Sequence, residues 1–175
     1  MATAVQGNPV VILDGGAGQS QPLRDGLSHR WRVVESIAGA GSAPYGLVGL
    51  SDGANAALRH ALDSPEAVEV LVLVSPTAIR PTAGDPNGDA AGLEARLSDV
   101  QCPTLVIFGQ EDRSVQPDAA ATYRERITNC NVAFVYAAGR DIPSDRPQAL
   151  LNLVSDYLER RETFIVQNRS GVINP

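Results

Sequence analysis

Short, unbroken runs of apolar residues rich in Val, Ile and Leu dominate the sequence. Runs of about four to eight apolar residues that do not alternate with polar ones are typical of strands buried on both faces, as in a parallel sheet covered by helices. Their β-branched residues favour strand over helix. We therefore predict six strands, at Val10–Leu13, Trp31–Ile37, Gly46–Leu50, Val68–Val74, Thr104–Phe108 and Val132–Tyr136.

Segments with helical spacing lie between these runs. Apolar or small residues recur every three or four positions after Gly53, after Pro117 and from Leu150 onward. The alternation of strands and helices predicts an α/β fold, a three-layer sandwich with a mostly parallel sheet of about six strands. A length of 175 residues suits one domain, which we place at residues 1–160, followed by a C-terminal tail, residues 161–175.

The charged residues exclude several classes of function. The formal net charge is -6, which disfavours nucleic acid and anionic membranes as partners. All 14 basic residues are Arg, and the absence of Lys excludes Walker-type phosphate binding, Schiff-base chemistry and a Ser-Lys dyad. No apolar run is long enough to span a bilayer, and Met1–Pro9 lacks the features of a signal peptide, so we expect a cytoplasmic protein.

The chain has few histidines and cysteines that could bind a metal ion or react as thiols. His29 and His60 are the two histidines of the chain, and Cys102 and Cys130 are not spaced as a CxxC pair. We expect no metal and no organic cofactor. The two cysteines are predicted to be free, half-buried thiols in a reducing compartment.

The segment Gly46–Leu62 contains the most informative motif, Gly49-Leu50-Ser51-Asp52-Gly53, in which an apolar strand is followed at once by a helix of small residues. In a GxSxG motif with this context, a sharp strand-to-helix turn lifts the serine Oγ clear of the sheet. The backbone N–H of Asp52 and the positive end of the helix would then face developing negative charge.

The chain from about Pro9 to Glu159 resembles the α/β-hydrolase family, in particular small esterases and peptidases with a G-x-S-D-G elbow. Pro9–Ser20 is similar to the strand and oxyanion loop of that family, with Asp14 where the family usually has His. The resemblance implies an oxyanion hole formed by the N–H groups of Gly15, Gly16 and Asp52, beside the nucleophile Ser51.

Two further segments carry the resemblance. Leu97–Pro117 is similar to the family's penultimate strand and Gly-x-x-Asp turn, which implies that Asp112 is the triad acid. Ala137–Pro147 is similar to the final loop, where the family has Ala-Gly-His and this sequence has Arg140. The guanidinium of arginine stays protonated and offers only donors, so it cannot act as the base. We expect Arg140 to form an ion pair with Asp112 instead.

No other residue is expected to supply the missing base. His60 lies nine residues beyond Ser51 on the same predicted helix, about 13 Å away at about 1.5 Å per residue. His29 precedes the strand at Trp31 and so lies at the opposite end of the sheet. A carboxylate from Asp14 or Asp52 in that role would oppose stabilisation of an oxyanion.

The chain also departs from the family in size. The first two strands and the cap of the family are missing, and only Ala38–Tyr45 joins two strands that a helix usually separates. Parallel crossovers generally need a dozen or more residues, so residues 28–45 are expected to be displaced or exchanged between subunits. A lost strand would also expose a sheet edge that a second copy could cover as a homodimer.

For two other segments the sequence allows more than one role. Ile79–Ala95 is rich in Gly, Pro and Asp without a period, and it either covers the site or forms a mobile excursion, the latter being favoured. The tail contains a strand-like stretch, Thr163–Val166, which could extend a sheet edge or contact a second subunit.

Three functional hypotheses remain. In the first, the chain is a minimal, lidless, degenerate α/β-hydrolase-fold protein with little or no hydrolase activity, whose pocket binds a small acyl-type molecule or serves assembly. In the alternative, it is a weak serine esterase or thioesterase acting on small acyl esters through an unconventional base. In the third, it is another α/β domain in which Ser51 is only a tight turn and Asp112 a solvated loop acid.

Overall fold

The computed structural model describes residues 8–15, 18–85, 88–164 and 172–173. The strands are β1 (Val10–Asp14), β2 (Val33–Val34), β3 (Tyr45–Leu50), β4 (Val68–Val74), β5 (Thr104–Gly109), β6 (Cys130–Val135) and β7 (Val172–Ile173). The α-helices are α1 (Gln21–Ser28), α2 (Ile37–Ala40), α3 (Asp52–Asp63), α4 (Ala90–Arg96), α5 (Ala119–Arg126), α6 (Ile142–Asp145) and α7 (Pro147–Arg160).

These strands form one sheet in the order β2-β1-β3-β4-β5-β6-β7. Strands β1 to β6 pair in parallel, and β7 pairs antiparallel with β6. The predicted α/β class with a mostly parallel sheet is confirmed.

Helices cover both faces of the sheet, and each face has its own apolar core. On one face the small residues of α3, among them Ala54, Ala57 and Ala61, are buried against the strands together with residues of α5. On the other face α1 and α7 pack against the sheet, and Leu150, Val154 and Tyr157 of α7 are buried. Central strands such as β4 are buried on both faces, which explains why they read as unbroken apolar runs.

The predicted strand Trp31–Ile37 is wrong in its extent. Only Val33–Val34 pair with β1, and Ile37 begins the one-turn helix α2. The Trp31 N–H bonds back to Leu27 O and closes α1, while the side chain of Ser36 accepts a hydrogen bond from the Gly39 N–H and starts α2. Local hydrogen bonds at both ends therefore limit the strand to two residues.

Because β2 lies outside β1, the chain between β2 and β3 crosses back over β1. The single turn of α2 makes this crossover within about ten residues, fewer than a parallel connection generally uses. A single turn of helix therefore joins β2 to β3, and β2 is the edge strand.

The tail also differs from the prediction. Thr163 ends a short 3₁₀ helix, Arg161–Thr163, and residues 165 and 166 of the predicted strand lie outside the described residues. Val172–Ile173 nevertheless pair with Phe134 and Val135, so part of the tail adds to the β6 edge.

Both cysteines are free, Cys102 buried and Cys130 half-buried. Burial raises the pKa of Cys102 to about 11 and that of Cys130 to about 12. Since the thiolate is the reactive form, we expect a thiol-specific disulfide reagent at mildly alkaline pH to modify Cys102 about 100-fold more slowly in the native protein than in concentrated urea. Equal rates in the two conditions would contradict the predicted burial.

The raised pKa values of the two thiols also make the stability of the folded protein depend on pH. The unfolded chain releases its thiol protons at a lower pH than the native chain does. The stability that the neutral thiols contribute is therefore complete below the ordinary thiol pKa and is lost as pH rises through the raised values of about 11 and about 12.

Candidate active site

The carboxyl ends of β1 and β3 meet at the point where the strand order reverses. From β1 the chain continues to β2 on one side, and from β3 it continues to β4 on the other. Ligands of open α/β sheets bind in the crevice outside such a point. Gly15 follows β1 here, and Ser51 follows β3.

Ser51 lies on a sharp turn between β3 and α3. Its φ is 54° and its ψ is -116°, a left-handed conformation that is rare for a residue with a side chain. The Ser51 N–H still bonds to Val74 O of the neighbouring strand at 2.9 Å, so the strain begins where the sheet ends. The turn predicted from the GxSxG motif is therefore present.

The two glycines of the motif are required by close packing. A Cβ at Gly49 would lie 2.5 Å from the Ala54 Cα, and one at Gly53 would lie 2.2 Å from Leu13 O. Real side chains do not tolerate such distances to backbone atoms. The motif thus lets α3 start directly against β1 and β3.

Next to this turn, Gly15 packs against the backbone N–H of Asp52. A Cβ at Gly15 would lie 3.3 Å from the Asp52 N. Gly16, the other predicted member of the oxyanion hole, lies outside the described residues. The Asp14 Oδ2 accepts a hydrogen bond from the Ser20 N–H at 3.2 Å, so this side chain holds the loop that follows β1.

Asp112 lies in the turn after β5. Its Oδ1 accepts hydrogen bonds from the Ser114 N–H at 2.8 Å and the Ser114 Oγ at 2.6 Å. Its Oδ2 is buried and has no hydrogen-bond partner among the residues that the structure describes. The carboxylate is therefore oriented by its own turn.

The loops after β5 and β6 lie against each other. A Cβ at Gly109 would lie 2.0 Å from Gly139 O, and the Glu111 N–H bonds to Ala138 O at 2.9 Å. This contact brings the turn of Asp112 next to the loop that carries Arg140.

Arg140 reaches across to the start of α3. Its Nη2 lies 3.2 Å from the Asp52 Oδ1, and the two side chains are 45% and 74% exposed. The predicted pairing of Arg140 with Asp112 is wrong: the guanidinium pairs with Asp52, and Ser114 binds the Asp112 Oδ1. The exposed carboxylate of Asp52 is the accessible anion.

Two contacts at this site were not predicted. Ser75, fully buried with a φ of 49°, donates its Oγ to Arg140 O at 2.8 Å and so fixes the backbone of that loop. Gln19 donates to the Asp141 Oδ2 at 3.0 Å and ties the loop after β1 to the loop after β6. Neither residue lies in a recognisable motif, and only the sheet topology brings the partners together.

Both histidines lie away from Ser51. The His60 Nε2 is 2.6 Å from the Tyr45 Oη, and Tyr45 is the first residue of β3 while Ser51 follows its last. Six residues of strand separate the two ends by about 20 Å. His29 caps the C-terminal end of α1, and the chain then enters the edge strand at the start of β1.

A cleft of about 570 Å³ opens beside Asp52 and Arg140; we call it the polar cleft. The segment 81–85 and Asp89 form one wall of it, so part of the Gly- and Pro-rich excursion lines this cleft. Arg59 also lines the polar cleft, with two guanidinium nitrogens on the Asp89 Oδ2 at 3.0 Å and 2.7 Å.

Among the described residues, no group of three or more His, Cys, Asp or Glu side chains is placed to hold a metal ion. None of the described helices combines the length and the apolar character needed to cross a bilayer.

No protein-family model and no curated protein matches this sequence. Solved structures do match. The meta-cleavage product hydrolase from Pseudomonas fluorescens IP01 superposes with a TM-score of 0.73 at 14% identity, covering 88% of this chain and 91% of that chain. The enol-lactonase from Burkholderia xenovorans LB400 superposes with a TM-score of 0.72 at 14% identity, covering 90% of this chain and 94% of that chain.

The carboxylesterase CesB from Bacillus subtilis gives a TM-score of 0.69 at 17% identity, covering 87% of this chain and 84% of that chain. Identities this low establish the fold and leave activity open. The parallel sheet, the strand order and these superpositions lead to one conclusion: the chain has the α/β-hydrolase fold.

Proposed function

We propose that this protein is a degenerate member of its fold class, in which Ser51 remains on the elbow but no general base serves it. It then has little or no hydrolase activity and uses its clefts to bind a small molecule. The observation that carries the proposal is the position of Arg140, whose guanidinium lies beside Asp52, the residue that follows Ser51.

The chemistry of arginine supports this proposal. A serine hydroxyl is a weak nucleophile until a neighbouring base takes its proton. The guanidinium has five N–H donors and no acceptor. A cation at this place can bind an anion but cannot activate Ser51.

The two acids nearest to the predicted triad are already engaged. Asp52 is paired with Arg140, and the Asp112 Oδ1 accepts two hydrogen bonds from Ser114. The histidines His29 and His60 are placed at the other end of the sheet. The proposal thus depends on the whole set of neighbours and not on one substitution.

One observation favours the alternative of a weak serine esterase or thioesterase. Ser51 keeps the strained backbone, and Gly15 leaves room beside the Asp52 N–H, where an oxyanion would bind. Enzymes that have lost one triad member keep about 10³ to 10⁴-fold catalysis over water through such groups. Slow turnover of an activated ester would therefore be compatible with both functions.

Labelling by a fluorophosphonate probe separates the two functions. The probe reacts with serines that have an effective base, so we expect the native protein to be labelled no faster than the Ser51→Ala variant. A trypsin-like serine hydrolase in the same reaction serves as the positive control. Stoichiometric labelling that disappears in Ser51→Ala, with both proteins folded by circular dichroism, would contradict the proposal.

A further inference from the structure

A second cavity lies between the turn of Asp112 and α5. It has a volume of about 420 Å³, within the range of about 300 to 1,000 Å³ that is usual for small-molecule sites. We call it the apolar cavity, since its walls include the apolar residues Phe108, Val115, Pro117, Ala120 and Phe134.

The walls of the apolar cavity are held in place. The rings of Phe108 and Phe134 stack with centroids 6.0 Å apart, and Phe108 also contacts the buried Tyr123. A cavity with fixed aromatic walls binds an apolar group without a large cost in ordering side chains.

The rim is held by backbone hydrogen bonds between two loops. The Gln116 N–H bonds to Arg80 O at 2.9 Å, and the Thr82 N–H bonds to Ser114 O at 2.9 Å. The Arg80 guanidinium in turn binds Glu94 and Asp118, which fastens this rim to α4 and α5.

Arg113 lies on the rim and lines both the apolar cavity and the polar cleft. It is exposed, and within the described part of the chain no hydrogen bond or ion pair engages it. The other two guanidiniums of the polar cleft differ, because Arg59 is bound to Asp89 and Arg140 to Asp52.

The accessible charge at the apolar cavity is therefore positive. Asp112 is the acidic residue among those lining it, but Ser114 holds its Oδ1 and its Oδ2 is closed to solvent. Gln110 and Gln116 are neutral. A bound molecule would meet an apolar pocket with the guanidinium of Arg113 at its mouth, free of other described side chains.

We propose that the apolar cavity binds a small monocarboxylate with an apolar body, the body between Phe134 and Ala120 and the carboxylate on Arg113. Arginine matches the planar carboxylate with two parallel N–H donors. This proposal rests on the proposed function in treating the protein as a binder of small molecules. It does not depend on the reactivity of Ser51.

Calorimetric titration with phenylacetate tests this proposal. We expect saturable binding to the native protein, and binding about tenfold weaker or more to Arg113→Gln, since the carboxylate loses its charge-assisted hydrogen bonds. Arg30→Gln is the matched control, because it removes the same charge from the opposite end of the sheet, where Arg30 pairs with Glu159. It should bind phenylacetate as the native protein does.

Two neighbouring compounds test the sign of the charge. The neutral 2-phenylacetamide should bind about tenfold more weakly than phenylacetate and should not respond to Arg113→Gln. The cationic 2-phenylethylamine should bind more weakly still. Tighter binding of the amine than of phenylacetate would overturn the proposal, since it would make Asp112 the partner.

A blocking variant tests the location. Ala120→Leu adds side-chain volume at the cavity wall and should abolish phenylacetate binding with the melting temperature retained. If Arg113→Gln or Ala120→Leu binds phenylacetate as the native protein does, or if the native protein does not bind it, the proposal is wrong. Fluorophosphonate labelling measures the reactivity of Ser51, whereas phenylacetate binding measures the apolar cavity. Either proposal can therefore fail without the other.

Discussion

Replacing Arg140 with His should raise the rate of ester hydrolysis by about 10²-fold over the native protein, measured with p-nitrophenyl acetate. A positioned general base contributes about 10² to 10⁴-fold, and the lower value suits a loop whose contacts hold a guanidinium and not an imidazole. The Ser75 Oγ fixes the backbone O of residue 140, and the loop lies against the turn of Asp112. The buried Asp112 Oδ2, which has no hydrogen-bond donor, could accept the N–H of the new ring and hold it in place.

Two controls make this prediction specific. Arg140→Gln removes the ion pair with Asp52 without adding a base, and it should hydrolyse the ester no faster than the native protein. Adding Ser51→Ala to Arg140→His should return hydrolysis to the native level. If Arg140→His folds and hydrolyses the ester no faster than Arg140→Gln, residue 140 does not occupy the place of the base.

Gly53→Ala should lower the free energy of unfolding by about 3 kcal/mol or more, measured by urea denaturation. Overpacking typically costs about 1 to 3 kcal/mol, and this site lies at the upper end. The new Cβ would lie 2.2 Å from Leu13 O and 3.1 Å from the Asp14 N, both backbone atoms. Leu13 and Asp14 pair with Gly49 and Leu50 of β3, so neither atom can move away without disrupting this pairing.

The matched control is Gly92→Ala in α4. A Cβ there meets nothing within 4 Å, and alanine is favoured over glycine inside a helix by about 0.5 to 1 kcal/mol. We therefore expect a small stabilisation. Equal effects of the two substitutions would show that helix propensity, and not the contact with β1, decides the outcome at Gly53.

The strands of the sheet could be predicted from sequence where burial is complete. The predicted Val68–Val74 coincides with β4, and Gly46–Leu50 and Thr104–Phe108 each differ from β3 and β5 by one residue at an end. Double-sided burial imposes an unbroken apolar run, which is visible in sequence. At the edge of the sheet, where Trp31–Ile37 was predicted, only one side is paired and local caps decide where the strand ends.

Some features of the candidate site could likewise be predicted from sequence, and others could not. The turn at Ser51 and its two glycines could be predicted because the GxSxG motif lies between an apolar run and a helix of small residues, all within one short segment. The partner of Arg140 could not be predicted, since Asp52 lies 88 residues away and the choice between Asp52 and Asp112 depends on side-chain orientation. The contacts of Ser75 and of Gln19 are of the same kind.

By itself, the sequence determined the layered α/β architecture, the strained turn at Ser51 and the lack of a histidine in the loop after β6. Each of these follows from local composition, period or residue identity. Only the tertiary structure decided which carboxylate Arg140 meets, that β2 forms the edge of the sheet, and that Arg113 lies between two cavities with no partner among the described residues. Those outcomes depend on the distances between loops from separate strands, which are fixed only when the sheet has formed.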